Sequence, residues 1–167
     1  LTLVLASLAG AGTVRAANED ADVAAKESRF SNTFDSPEAL ARRFLSVLAA
    51  GDPEQATPLA VSEREYKEIV WPEMPAALNV PGDFAWDNMW PKSRYGLDRT
   101  FKRYGGQRLE LVRLAFAGET TKYRTFTVHR DARCVVRDKS GKQQTLDLFG
   151  SVLEDGGRYK LFSFVVD

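Results

Sequence analysis

The stretch FKRYGGQRLELVRLAF, residues 101–116, changes period in its middle. Its first part closes a helical pattern in which Leu97, Phe101 and Tyr104 recur at spacings of four and three, and Gly105-Gly106 ends it. From Leu109 the residues read as a strand. Helices before this point and strands after it set the fold class as α+β, with N-terminal helices packed on an antiparallel sheet in a single domain.

Working upstream, Trp86, Met89 and Trp90 cluster before Pro91, so residues 84–104 read as a helix that Pro91 kinks or restarts. Residues 71–81 are Pro-rich and without period, and read as a loop. Ser62-Glu63-Arg64-Glu65 is a capping-box pattern opening a helix with Tyr66, Ile69 and Val70 on one side, ended by Trp71-Pro72. Asp52-Pro53-Glu54 starts a short helix that Pro58 breaks. Ser36-Pro37-Glu38 starts the first one, which carries Leu40, Phe44, Val47 and Leu48 and closes at Gly51. Downstream, strands are expected at 109–116, 122–130, 133–137, 144–153 and 159–166, with turns at 117–120, 138–141 and 155–157. Such short turns imply an antiparallel meander, and Asp131-Ala132 a bulge within one long strand. No internal repeat is visible.

The phrase Ala39-Leu40-Ala41-Arg42-Arg43-Phe44-Leu45-Ser46-Val47-Leu48-Ala49-Ala50-Gly51-Asp52 resembles the opening helix of the NTF2-like superfamily. The closing hairpin into Tyr159-Lys160-Leu161-Phe162-Ser163-Phe164 resembles that superfamily's ending. The resemblance spans Ser36 to Asp167 and rests mostly on the order of elements. It implies a curved sheet wrapped around helices into a cone, the shape shared with cystatin-like folds, with an apolar pocket. Members include ketosteroid isomerases, polyketide cyclases, dehydratases and non-catalytic binding domains, so the fold leaves function open. In the isomerases a Tyr and a sheet acid hold an oxyanion and another acid is the base. The resemblance would make Asp147 the sheet acid and Tyr66 or Tyr104 the phenol, although the first helix offers Phe44 and no Tyr.

Leu1 to Val14 holds no charge, Leu1 to Leu8 suits a signal h-region, and Val14-Arg15-Ala16 suits a cleavage site. Without an initiator Met or a basic n-region, the stretch reads as the inner part of a secretory signal, and the protein as exported to the periplasm or beyond. The run is too short to span a membrane, which takes about 20 apolar residues. The expected division is signal over 1–17, disordered tether over 18–33 and the α+β domain over 34–167.

Twenty-three basic and 23 acidic residues balance, which argues against a nucleic-acid partner. The one cysteine, Cys134, lies in an apolar run and reads as a buried, inert thiol. The single histidine, His129, alternates with Phe126 and Val128 on the polar side of its strand. It is a general acid or base there, or a structurally bonded histidine. A lone His makes a zinc site unsupported, and no metal or cofactor is expected. Asp147, between Leu146 and Leu148, is a buried proton shuttle or the polar half of an alternation with Thr145. Tyr66, Trp71, Phe84, Trp86, Trp90, Phe101 and Tyr104 form an aromatic group that is core or cavity lining. Of these, Trp86, Trp90, Phe101 and Tyr104, with Met89, are the candidate ligand contacts. Arg94, Arg99, Lys102, Arg103 and Arg108 are a solvated basic face or an anion site. No phosphate loop, nucleophile elbow or metalloprotease motif is present.

Three functions follow. The leading one is an exported, non-catalytic domain binding a small apolar molecule or an envelope protein. The second is an isomerase, dehydratase or cyclase using Asp147 with His129 or a Tyr. The third is a structural homodimer paired through the sheet's outer face.

Overall fold

The computed structural model describes residues 28–164. The expected signal over 1–17, the first part of the expected tether (18–27) and the last three residues lie outside the described residues. The described chain is a mixture of helices and two antiparallel sheets, the α+β class expected. Among the described residues no helix is long and apolar enough to cross a membrane.

Helix α1, Pro37–Ala50, begins where the sequence places it: Ser36 Oγ accepts the Ala39 N–H at 3.1 Å. Gly51 stops it in the left-handed conformation at φ 75°. A 3-10 turn, Pro53–Leu59, follows. The Ser62–Glu65 capping box forms and opens α2, Glu63–Glu65. The expected helix does not continue in α geometry. It widens to a π turn over Tyr66–Val70 and tightens to 3-10 over Trp71–Glu73, where Pro72 has no N–H to offer. The expected loop contains a further 3-10 turn, Pro75–Leu78. Helix α3, Gly82–Tyr104, runs through Pro91 without restarting. Pro91 and Asp87, whose carbonyl loses its intrahelical partner, both lie on the exposed side.

The strands are β1 Glu110–Phe116, β2 Thr120–Lys122, β3 Thr127–His129, β4 Ala132–Arg137, β5 Gln143–Leu146, β6 Ser151–Asp155 and β7 Arg158–Ser163. They form the sheets β1-β4-β5 and β2-β3-β6-β7. Two strands expected to be continuous are broken. The run 122–130 is a tight hairpin turning at Tyr123–Phe126, and 144–153 is divided into β5 and β6. The break at Asp131 is sharper than a bulge, since this residue sits at φ 55° and separates β3 from β4. Gly118 lies opposite, and a Cβ there would collide with the Asp131 carboxylate. The two sheets meet at this level: Ala117 and Gly118 donate to the carbonyls of Asp131 and Arg130, and Ala132 donates to Gly150.

Two apolar clusters fill the space between helices and sheets. In the first, the Phe44 ring lies 5.3 Å from Phe149, 6.1 Å from Phe164 and 6.2 Å from Phe101. Cys134 belongs to it, and burial, with Asp147 adding to it, pushes the thiol up to about 12. The second cluster packs Tyr66, Val70, Ala85 and Trp86 on Phe126, Val128 and Leu153. Residues 28–33, expected at the end of a tether, are docked instead. Phe30 is 4% exposed within the second cluster, and Arg29 N–H donates to Asp155. One apolar residue suffices to anchor a polar strap whose backbone is satisfied by buried side chains.

Candidate functional site

Among the described residues, an apolar hollow lies where the π turn meets the start of α3. It is open, has a volume of about 340 Å³, and is lined by Tyr66, Trp71, Val80, Phe84, Ala85, Asn88, Met89 and Lys92. Helical spacing puts Ala85, Asn88, Met89 and Lys92 on one side of α3. The opposite wall is Tyr66 stacked on Trp71 at 5.8 Å. The Trp71 indole N–H donates to the Val80 carbonyl at 3.0 Å, which holds the intervening segment against the hollow. Gly82 makes room for that indole, since a Cβ there would stand 3.1 Å from Trp71 Cδ1. Phe84, one of the lining residues, is 62% exposed. Burial pushes the Tyr66 phenol above its ordinary value, and Tyr123 adds to it, so the ring enters the wall as a neutral group.

A buried polar cluster supports this wall from behind. Lys160 Nζ is within 3.1 Å of Glu65 Oε1 and 3.0 Å of Oε2, and donates to the Ser31 carbonyl at 2.7 Å. Ser31 and Ser62 each donate N–H and O–H to the same carboxylate. Burial alone raises the Glu65 carboxyl, but these donors outweigh it and hold it down at about 2. Burial pushes Lys160 below its ordinary value against the pull of Glu65. Both carboxylate oxygens and the ammonium thus have partners, which is what a buried ion pair requires.

No family model, curated protein or solved structure matches this chain.

The candidate ligand residues divide among different places. Met89 lines the hollow. Trp86 and Trp90 stand behind it, stacked on each other at 5.0 Å and 11°, and Trp86 is also 5.5 Å from Tyr66. Phe101 is in the other cluster against Phe44. Tyr104 lines a separate polar groove of about 590 Å³ with Arg99, Thr100, Arg103 and the β5 residues up to Asp147. Val80, Ala85, Asn88 and Lys92 are lining residues that the sequence reading missed. The spacing of 85, 88 and 92 along one helix face was the available signal.

The candidate catalytic residues are likewise dispersed. Asp147 is exposed in the groove with Tyr104. Tyr66 is at the hollow. His129 is on neither: its Nε2 is 2.8 Å from Glu154 and its Nδ1 3.3 Å from Thr120, its partner across the β2–β3 pair. The Phe116 ring lies 5.1 Å from the imidazole. Phe44, Phe149 and Phe164, each fully buried, occupy the space between α1 and the sheets. Among the described residues no group of three His, Cys, Asp or Glu side chains is placed to hold a metal.

Proposed function

We propose that this protein is an exported, non-catalytic binding domain of NTF2-like type that takes up a small apolar molecule in the hollow between Tyr66–Trp71 and α3. The observation that carries the reading is an open hollow walled by Trp71, Val80, Phe84, Ala85 and Met89, with the large apolar side chain of Phe84 exposed at it. Shape and apolar lining of this kind suit a ligand held by desolvation and oriented by a few polar groups, here Asn88 and Lys92. The order of helices before an antiparallel meander supports the cone-like family, and the uncharged Leu1–Val14 stretch supports export.

The isomerase reading needs an acid, a phenol and a base around one cavity. Asp147 and Tyr104 share a groove, but His129 and Tyr66 lie elsewhere. The homodimer reading needs an outer sheet face that tolerates its own copy. That face of β1 and β4 presents Arg113 and Arg133, both exposed, and a two-fold pairing brings like charges together.

The test uses the uncharged fluorophore N-phenyl-1-naphthylamine. Its emission should rise on the folded protein while tryptophan emission falls. Phe84→Glu, at an exposed position, should keep the fold and weaken uptake about tenfold, the cost of losing roughly one side chain's apolar contact. Equal uptake by both proteins would refute the assignment of the hollow.

A further inference from the structure

The free edges of the sheets are not treated alike. On β1 a register shift between Leu111 and Arg113 interrupts the pairing, and Glu110 and Arg113 add charge. Strand β2 is three residues long and ends in Lys122. The outer side of β7 is covered: Phe34 exchanges backbone hydrogen bonds with Tyr159 at 2.9 and 2.8 Å, and Val61 N–H donates to Leu161. These are the devices by which sheets refuse further strands: bulges, charge, shortness and cover.

Strand β5, four residues long, has no bulge, no charge and no strand covering its outer side. Gln143-Gln144-Thr145-Leu146 carries no charge and no proline, and pairs with β4 in unbroken register. Among the described residues nothing pairs with its other side. That side opens on the groove of about 590 Å³, whose far wall is the last turns of α3. Thr100 Oγ1 donates to the Leu148 carbonyl at 3.3 Å and ties that wall to the chain leaving β5. Arg99 and Arg103, four residues apart on one helix face, supply the wall's charge, and the Arg103 guanidinium stacks over Tyr104 at 5.2 Å. Asp147 closes the end beyond Leu146.

We propose that the β5 edge is a docking site for an extended segment of a partner protein, which adds as a strand beside Gln143–Leu146 and turns an acidic side chain toward Arg103. Strand addition takes its affinity from main-chain hydrogen bonds and its specificity from side-chain pockets. Here the edge supplies the first and Arg103 the second. The site is separate from the apolar hollow, so the two assignments stand or fall independently.

The experiment is a ¹⁵N NMR titration of the full chain with the peptide acetyl-Thr-Val-Glu-Val-Thr-amide. The amides of Gln143–Leu146 should shift and exchange more slowly with solvent. The same peptide with Lys in place of Glu, and the Glu peptide against Arg103→Glu, should each bind about fivefold more weakly, as expected for reversing one exposed charge contact. Circular dichroism checks that the variant, altered at an exposed position, is folded. A form N-methylated at alternate amides should not bind. Equal binding of the Glu and Lys peptides, or binding unaffected by N-methylation, would overturn the proposal. So would β5 amides already protected without peptide, which would mean that the chain itself covers the edge. Protection that grows with protein concentration alone would overturn it too, and assign the edge to a second copy instead.

Discussion

Lys160 and Glu65 form an ion pair in which the lysine side chain is 1% and the carboxylate 9% exposed, with Nζ 3.0 Å from Oε2. The pair joins β7 to the capping box of α2, and Ser31 extends it to the N-terminal strap. Removing one member leaves the other charged, buried and short of a partner. Lys160→Met should therefore cost about 3–5 kcal/mol in denaturant unfolding. The double variant Glu65→Gln/Lys160→Met should be more stable than the sum of the single losses. Strict additivity would show that the two side chains do not act as a unit.

The same carboxylate gives an acid dependence with a definite sign. Its folded value of about 2 lies below the ordinary 4.5. The contribution is thus complete above the ordinary range and is lost as pH falls from there through about 2. Stability of the wild type should fall across that window more steeply than that of Glu65→Gln. Parallel curves from urea titrations would remove Glu65 from the account.

The helix caps and the stop at Gly51 were legible in the sequence because they are local. Ser36, Gly51 and Ser62 each act within four residues of their own position. Glu65 was legible as a cap and not as half of an ion pair, since Lys160 arrives from the last strand. The division of long strands at Asp131 and at 147–150 was hidden for a similar reason. A left-handed Asp131 facing Gly118 is a relation across strands, and strand propensity is silent about it. The aromatic group could be found by composition, but its partition into the hollow, the Trp86–Trp90 stack and the Phe44 cluster depends on tertiary packing. His129 was placed on the polar side of its strand by alternation, while its partner Glu154 comes from β6.

Cys134 is fully buried with its thiol pushed up to about 12. A thiol reagent at neutral pH should label it slowly in the folded protein and quickly in denaturant. Rapid labelling of the folded protein would contradict the facing of β4.

The proposed export predicts processing after Ala16 or Ala17. N-terminal sequencing of the protein recovered from the periplasm or medium should begin at Ala17 or Asn18. A cytoplasmic product retaining Leu1 would contradict it.

The apolar hollow is tested most directly through its methionine. The chain has two, Met74 and Met89, and only Met89 lines the hollow. Methyl-¹³C labelling therefore gives two signals, one inside the site and one serving as a control. On titration with N-phenyl-1-naphthylamine the Met89 methyl signal should move progressively to saturation, shifted by the aromatic ring of the ligand, while that of Met74 moves far less. A Met89 signal that stays fixed while the fluorophore binds, or that moves no more than Met74, would contradict the assignment of this hollow as the binding site.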